Sequence, residues 1–264
     1  MIIRDLAMAT PPREALIGYT GFVGSNLASQ HAFSDVYNRS NIETIRGQSF
    51  DLIVSAGAPG VKFLANKDPE ADWASITQLM DALAQVKTKR FVLISTLNAY
   101  VDPRGVDETS PVGGDDQLPY GRHRVLLERF IAERFPDHLI VRLPGIFGPG
   151  LKKNVLFDLM TGDDRFLANT HVSSIMQMYD LRHLWADILR AQEQSIRVLN
   201  IATEPLKLIE ISRQCFHRDF PGRTDGPVYH DDMRTIHSSL WGQHIPYLYS
   251  AQQTLKDLHA FISS

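Results

Sequence analysis

The sequence predicts an α/β protein with a doubly wound parallel sheet and a small C-terminal lobe, and three observations support this prediction. Short, almost wholly apolar runs alternate with helical segments over the first 150 residues, a glycine-rich turn follows the first run, and the alternation weakens beyond Gly150. Strands that are apolar along their whole length are buried on both faces, as in a parallel sheet covered by helices. We therefore expect an N-terminal extension over residues 1–13, a core over 14–150, and a mixed segment over 151–264 that completes the sheet and forms a substrate lobe.

The elements of the core are predicted from apolar runs and helical periodicity. Buried strands are expected at residues 14–18, 36–39, 51–56, 90–95 and 138–142. Helices are expected from Ser25, over the segment in which Trp73, Ile76, Met80 and Leu83 share one face, and from Tyr120 to Phe135, where Pro136 ends the helix. The stretch between the second strand and Asp51 is short, so we expect one strand of the usual sheet to be reduced or missing.

The pattern after residue 150 is looser. Helices are expected at residues 154–160, 180–192, 206–216 and 255–262, and a strand at 198–201. Residues 217–249 are rich in Gly, Pro, His and Asp and show little periodicity, so they are expected to be mostly loop.

Composition excludes several classes of protein. The net charge is 27 − 30 = −3 and there is no basic run, so neither nucleic acid nor a membrane surface is an expected partner. A single cysteine, Cys215, cannot form an intramolecular disulfide. Residues 1–13 lack an apolar signal core, Met8 is an alternative start, and no apolar run is long enough to span a bilayer. These features together predict a cytoplasmic protein.

The strongest local signal is the turn Gly18-x-x-Gly21-x-x-Gly24, which follows a predicted strand and opens a predicted helix. The first glycine permits a tight turn, the second lets the backbone approach a pyrophosphate, and the third lets helix and strand lie close together. The free N–H groups and dipole of the helix favour negative charge at that point. This context predicts a Rossmann-type dinucleotide site rather than an ordinary glycine turn.

Five segments, in order along residues 14–150, resemble the extended short-chain dehydrogenases/reductases of the NAD(P)-dependent epimerase/dehydratase group. These segments are GYTGFVGSNL at 18–27, DLIVSAGA at 51–58, FVLISTLNAY at 91–100, YGRHRVLLE at 120–128 and VRLPGIFGP at 141–149. The resemblance implies an oxidoreductase or epimerase that acts on a carbonyl or hydroxyl of a sugar-like, often nucleotide-sugar, substrate. It also implies a homodimer formed through the helix from Tyr120 and the helix that carries Trp73.

The resemblance implies a catalytic set of Thr96, Tyr120 and Arg124. In the family, a tyrosine transfers the proton, a Ser or Thr hydroxyl holds the same substrate oxygen, and a lysine four residues after the tyrosine holds the nicotinamide ribose and lowers the tyrosine pKa. Arg124 stands where that lysine is expected. A guanidinium can supply the charge but is planar and effectively never deprotonated. A catalytically impaired NADP-binding regulator is therefore the alternative function.

The second strand indicates which dinucleotide is expected. It is followed by Asn38, Arg39, Ser40 and Asn41 rather than by the acidic residue that holds an NAD ribose, and an arginine there can pair with a 2′-phosphate. NADP is therefore preferred, with NAD as the alternative. The residues expected to contact the dinucleotide are Gly18, Thr20, Gly21, Phe22, Val23, Gly24, Asn38, Arg39, Ser40, Asn41, Ile42, Ala56, Gly57, Ala58, Tyr120, Arg124, Pro144 and Ile146.

No metal site is expected from the ten histidines, because none stands at a ligand spacing with a carboxylate. The nearest candidate, His230-Asp231-Asp232, is interpreted as a solvated loop, and Cys215 as a packing residue. The segment from Asp232 to Thr235 is expected to reach the substrate pocket, because the C-terminal lobe closes the cleft in the family.

Overall fold

The computed structural model describes residues 11–264. Most of the predicted N-terminal extension and the alternative start at Met8 therefore lie outside the described residues. Arg13 already belongs to the folded body, because its guanidinium lies 2.8 Å from a carboxylate oxygen of Asp35 and its backbone N–H donates to Asp51.

Twelve strands and nine helices follow one another along the described chain. The strands are β1 (Glu14–Ile17), β2 (Asp35–Tyr37), β3 (Ser49–Ser55), β4 (Lys87–Thr96), β5 (Arg104–Val106), β6 (His138–Leu143), β7 (Gly145–Phe147), β8 (Ile175–Met176), β9 (Met178–Asp180), β10 (Val198–Asn200), β11 (Leu206–Lys207) and β12 (Asp232–Met233). The helices are α1 (Phe22–Gln30), α2 (Lys62–Lys67), α3 (Pro69–Leu83), α4 (Pro119–Arg134), α5 (Val155–Thr161), α6 (Asp164–Leu167), α7 (Leu184–Glu193), α8 (Leu208–Phe216) and α9 (Ala251–Ile262).

The core is a six-stranded parallel sheet in the order β2-β1-β3-β4-β6-β10. This architecture confirms the predicted fold class, and all five predicted core strands are present with ends shifted by at most a few residues. The chain leaves β1 toward β2 and then returns to place β3 on the other side of β1. Ligands of such sheets bind at this switch point, beyond the carboxyl ends of the strands.

The sheet ends at β2, as the short connection predicted. From Tyr37 the chain passes through one 3₁₀ turn, Ile42–Ile45, and enters β3 without a helix. Ile42 and Ile45 are both buried beneath this turn in the core that includes Phe50. Within residues 11–264, no strand pairs with the outer edge of β2.

Two apolar layers enclose the sheet, because successive side chains of a strand point to opposite faces. Phe91 and Leu93 of β4 join the layer that contains α3 and α4, whereas Val92 and Ile94 join the layer of α1 and α7. The helices begin where their sequences supply caps. At α3, the side chain of Asp68 accepts the N–H of Ala71, and Pro69 occupies the first turn.

A third apolar cluster forms the C-terminal lobe from α5, α6, α8 and α9. Several predicted boundaries differ there. A 3₁₀ turn at Leu181–His183 precedes α7, Leu206 and Lys207 form β11 rather than the first turn of α8, and α9 begins at Ala251 because the side chain of Ser250 accepts the N–H of Gln253. Along the described chain, no helix combines the length and apolar character that crossing a bilayer requires.

Candidate functional site

The glycine turn lies at the switch point, between β1 and α1. Gly18 has a φ of +85°, and a Cβ there would lie 2.4 Å from the carbonyl oxygen of Ala56 at the end of β3. A Cβ on Gly24 would lie 2.0 Å from the carbonyl oxygen of Gly18. Both positions therefore require glycine, because the strand, the turn and the helix approach one another too closely for any side chain.

Gly21 has a different role from the other two glycines. It is the N-cap of α1 and provides no side-chain cap, so the first N–H groups of the helix are left for another acceptor. The surface around it carries the exposed Thr20 and the half-buried Phe22 and Val23. This uncapped, glycine-lined helix start has the form and polarity that a pyrophosphate requires.

In the turn after β2, most polar side chains form hydrogen bonds with other groups of the same turn. The side-chain oxygen of Asn41 accepts the N–H of Asn38 at 2.7 Å, and its amide donates to the carbonyl of Val36. Asn38 in turn accepts the N–H and hydroxyl of Ser40. Arg39 differs from these three, because its exposed guanidinium donates outside the turn, to the Ser75 hydroxyl on α3 at 2.7 Å.

Ile42 does not fit the predicted adenine contact. Its side chain is only 5% exposed and belongs to the apolar core, so it leaves almost no surface for a base. The contact of Ile42 with an adenine therefore stays a prediction, and the burial of its side chain argues against it. Asn38, Ser40 and Asn41 lie where predicted, but their side chains close the turn.

The loops after β3 and β6 complete the predicted dinucleotide edge. Ala56, Gly57 and Ala58 are half-buried at the end of β3. Pro144 is buried and Ile146 half-buried after β6. The same edge is tied to α1, because the buried Asn26 donates to the carbonyl of Pro149 at 3.0 Å.

Ser95 and Thr96, which are adjacent at the end of β4, have different partners. The Ser95 hydroxyl lies 2.5 Å from the Glu128 carboxylate, which also binds Arg142. The Thr96 hydroxyl accepts the backbone N–H of Asn98 at 3.2 Å and its side-chain amide at 3.1 Å. Thr96, and not Ser95, therefore carries its hydroxyl to the edge where Tyr120 lies.

Tyr120 lies in the first turn of α4, where its backbone N–H donates to the side chain of Asn66. Burial raises the pKa of its phenol above 10, while the charge of Arg124 and a hydrogen bond with Thr96 lower it. Burial disfavours the charged phenolate and is the largest of these effects. Arg124 thus lowers the pKa of Tyr120, as predicted, but the effect of burial is larger and the pKa is raised overall.

Arg124 is already bonded on both of its terminal nitrogens. Its Nη1 lies 2.5 Å from Asp72 of α3, its Nη2 donates to the carbonyl of Pro59, and its Cζ lies 4.3 Å from the centroid of the Tyr120 ring. Asp72 also binds His123, and all three ionisable side chains are buried. The Arg124 side chain is only 3% exposed and so offers little surface to a ribose, and the geometry therefore favours Arg124 as a charge beside Tyr120 over Arg124 as a ribose ligand.

The lobe brings a residue to this edge that the sequence interpretation missed. Asp231 was assigned to a solvated loop, but burial raises its pKa to about 6, and the charge of Lys62 on α2 opposes this shift. Lys62 donates to the side-chain oxygen of Asn98 at 2.6 Å. Neither residue stands in a motif, and α2 itself was not predicted.

The segment that was expected to reach the substrate pocket is anchored instead. Met233 is fully buried, Asp232 pairs with Arg234, and the hydroxyl of Thr235 donates to Glu108 at 2.6 Å. The prediction for residues 232–235 is therefore wrong for most of these side chains. Strand β12 pairs with β5, and Asp231 immediately precedes this pairing.

Among residues 11–264, one group of side chains has the proximity that a metal ion needs, namely Asp180, His183 and Asp257. Its members already have partners: Asp180 binds Arg182, and His183 lies 3.0 Å from Asp257. Cys215 is buried in the core of the lobe, which confirms its packing role.

Comparison with known proteins assigns the chain to a family. The sequence profile described as the NAD dependent epimerase/dehydratase family matches residues 30–162, half of the chain. The protein therefore belongs to this family, as the five ordered segments predicted. No curated protein sequence matches the chain.

Solved structures of similar fold cover nearly the whole chain. The dTDP-4-dehydrorhamnose reductase from Bacillus anthracis in complex with NADP is 16% identical, with a TM-score of 0.74 over 97% of this chain and 99% of that one. The UDP-N-acetylglucosamine 4-epimerase from Methanobrevibacter ruminantium, in complex with UDP-N-acetylmuramic acid, is 12% identical, with a TM-score of 0.75 over 96% and 98%. The UDP-glucose 4-epimerase from Thermotoga maritima, with UDP-glucose, is 15% identical, with a TM-score of 0.67 over 95% and 98%.

Proposed function

We propose that this protein is an NADP-dependent oxidoreductase or epimerase that acts on a carbonyl or hydroxyl of a nucleotide-sugar substrate, with Tyr120 as the acid/base. The observation that carries the proposal is the meeting of the Thr96 hydroxyl and the Tyr120 phenol at the carboxyl edge of the sheet, beside an uncapped glycine turn. A dinucleotide and a carbonyl compound need these two features side by side.

Each side chain has a definite task in this proposal. The bound nicotinamide would supply or accept a hydride. Tyr120 gives a proton to the substrate oxygen, or takes it back, and Thr96 holds the same oxygen by its hydroxyl. Arg124 lies over the Tyr120 ring and favours the phenolate, which offsets part of the effect of burial.

The preference for NADP rests on the turn after β2. No carboxylate follows the strand, and Arg39 is the exposed cation there. Its guanidinium has five N–H donors, of which one binds Ser75, so several are left for a phosphate. NAD remains the alternative cofactor, to be distinguished by measurement.

The substrate class is supported by two arguments. The solved structures of similar fold act on dTDP- or UDP-linked sugars, as their names state. In this chain, the polar side chains of Lys62, Asn98 and Asp231 stand around the Thr96–Tyr120 pair. Such an arrangement suits a substrate rich in hydroxyls.

Thermal unfolding in the presence of NADPH, NADH and their oxidised forms tests the proposal first, because a ligand that binds only the folded chain raises its melting temperature. We expect the largest rise with NADPH. Oxidation of NADPH in the presence of dTDP-4-dehydrorhamnose is then measured for the wild type and for Tyr120→Phe, which should bind NADPH equally but lose about 10²–10⁴-fold in kcat. No thermal shift with any of the four dinucleotides would refute the proposal.

A second function, a dinucleotide-binding regulator without turnover, is favoured by one observation. Arg124 is paired with Asp72 and Pro59 and its side chain is only 3% exposed, so the cation at that helix position has little surface with which to hold a ribose. NADPH binding without turnover of dTDP-4-dehydrorhamnose or of UDP-linked sugars would support this function. The homodimer implied by the family, through α3 and α4, is a separate prediction that light scattering of the purified chain tests.

A further inference from the structure

The side chain of Lys62 reaches the catalytic edge from α2, a helix outside all the motifs of the family. Its ammonium lies 2.6 Å from the side-chain oxygen of Asn98. An ammonium can only donate, so the oxygen of the Asn98 amide must face Lys62 and its NH₂ must face away. The Asn98 NH₂ does donate to the Thr96 hydroxyl oxygen, at 3.1 Å.

The Thr96 hydroxyl oxygen therefore accepts twice, once from the side-chain amide and once from the backbone N–H of Asn98. With both lone pairs in use, the hydroxyl hydrogen is the group left to point elsewhere. Thr96 is a hydrogen-bonding neighbour of the Tyr120 phenol and lowers its pKa.

We propose that Lys62 is a positioning residue, which begins a chain of donors from its ammonium through Asn98 and Thr96 to the Tyr120 oxygen. In the free protein every link has its hydrogen directed toward that oxygen. When substrate is bound, the Thr96 hydrogen is donated instead to the substrate oxygen that Tyr120 protonates, so the chain then ends on the reacting oxygen. Bonds aligned in this way polarise one another, so a cation at the far end favours negative charge at the near end. This inference rests on the proposed function, because it names the residue that supplies charge to the same acid/base.

The surroundings of Lys62 suit this role. Burial lowers the pKa of its ammonium, and Asp231 of the lobe opposes that effect. Asp116, in the loop before α4, lines the same small pocket, and His230 lies beside Asp231. The other cation near Tyr120 is Arg124, whose charge is balanced by the buried Asp72. Lys62 therefore lies on the solvent-exposed side of the site, whereas Arg124 lies on the buried side.

The test is nuclear magnetic resonance of the full chain with ¹³Cζ-labelled tyrosine. Tyr120 is identified among the eight tyrosines as the signal that Tyr120→Phe removes. During a pH titration of the wild type, we expect a step in the chemical shift of the Tyr120 signal at the pH where Lys62 loses its proton. This pH should lie below the ordinary lysine pKa. The step should vanish in Lys62→Met and also in Lys62→Arg, because a guanidinium stays charged throughout the titration.

Lys67→Met is the matched control, since Lys67 lies on the same helix, is exposed, and has no part in the chain of donors. Its Tyr120 step should match that of the wild type. NADPH oxidation with dTDP-4-dehydrorhamnose gives the functional readout: kcat should fall about tenfold in Lys62→Met and recover in Lys62→Arg, while the Kd for NADPH stays within about twofold.

The outcomes separate the inference from the proposed function. A wild-type Tyr120 signal without the step, or a step that survives in Lys62→Met, overturns the role of Lys62 whatever the enzyme turns over. An equal kcat in the wild type and Lys62→Met overturns it too. Absence of NADPH binding or of turnover in the wild type refutes the proposed function instead, and the resonance titration then decides the inference by itself.

Discussion

Arg124 and Asp72 form a buried ion pair between α4 and α3, with Nη1 of the arginine 2.5 Å from Oδ2 of the aspartate. The guanidinium spans from this carboxylate to the carbonyl of Pro59, and a lysine ammonium at this position would bind only one of the two. The arginine that replaces the family's lysine at position 124 therefore joins α4 to α3 and to the loop after β3.

Arg124→Lys should consequently lower stability rather than restore a better enzyme. We expect a loss of about 1–3 kcal/mol in the free energy of unfolding, from the unpaired carbonyl and the weakened pair, together with reduced turnover. Denaturant unfolding and NADPH oxidation measure the two effects, and Arg122→Lys, at an exposed position of α4, is the control. A large gain in turnover would show instead that the site is a decayed form of the lysine site.

Ser95→Ala and Thr96→Val should differ in their effect on catalysis. Removal of the Ser95 hydroxyl leaves Glu128 with one hydrogen bond fewer, so we expect a loss of roughly 1–3 kcal/mol in stability with turnover retained. Thr96→Val should lose a similar amount of stability, because both N–H donors of Asn98 lose their acceptor, but it should also lose about 10²–10³-fold in kcat, because the substrate oxygen loses its donor. If Ser95→Ala lost turnover and Thr96→Val retained it, the assignment of Thr96 would be wrong.

Gly24→Ala should disrupt both the turn and the binding of a dinucleotide. The added methyl would lie 2.0 Å from the Gly18 carbonyl oxygen, and because the clash is between backbone segments it cannot be relieved by rotating a side chain. We expect a destabilisation of about 1–3 kcal/mol or more and loss of the thermal shift with NADPH. Gly60→Ala, where a Cβ meets nothing within 4 Å, should change neither.

Arg39→Ala should reduce the affinity for NADPH by roughly tenfold or more while leaving the affinity for NADH unchanged, since only NADPH carries the 2′-phosphate. Fluorescence titration of the two reduced dinucleotides gives both dissociation constants. Arg46→Ala, on the next turn of the chain, controls for the general loss of positive charge. Equal losses for NADPH and NADH would remove Arg39 from the proposed phosphate site.

Asp231→Asn should change the dependence of stability on pH. The folded-state pKa of Asp231 is about 6, above its ordinary value of 3.8, so ionisation of this group destabilises the fold as pH rises through 6. We expect Asp231→Asn to be more stable than the wild type by about 1–2 kcal/mol at pH 8, after allowance for solvent screening, and this difference to disappear as pH falls toward 4. Asp225→Asn, in the exposed loop nearby, is the control, and a difference that is constant between pH 4 and 8 would contradict the prediction.

Local sequence signals determined much of the fold and the outline of the site. Apolar runs placed the strands, because a buried strand must be apolar whatever surrounds it. The glycine turn was predicted for a steric reason that the structure shows at Gly18 and Gly24. Thr96 and Tyr120 were paired through the family resemblance: Thr96 ends β4, and Tyr120 lies in the first turn of α4, which packs against the 3₁₀ turn after β4. Even the missing outer strand followed from the length of one connection.

The partners of the charged side chains were decided by the tertiary structure alone. Arg124 meets Asp72 from another helix, Lys62 meets Asn98 across the site, and Asp231 is partly buried although it lies in the segment 217–249, which was expected to be mostly loop. Ile42 turned inward for the same reason, once the chain closed beneath β2. Periodicity and steric demand act between neighbours in the chain and can be read from the sequence. Burial and ion pairing depend on which distant residues come into contact, and only the folded chain determines that.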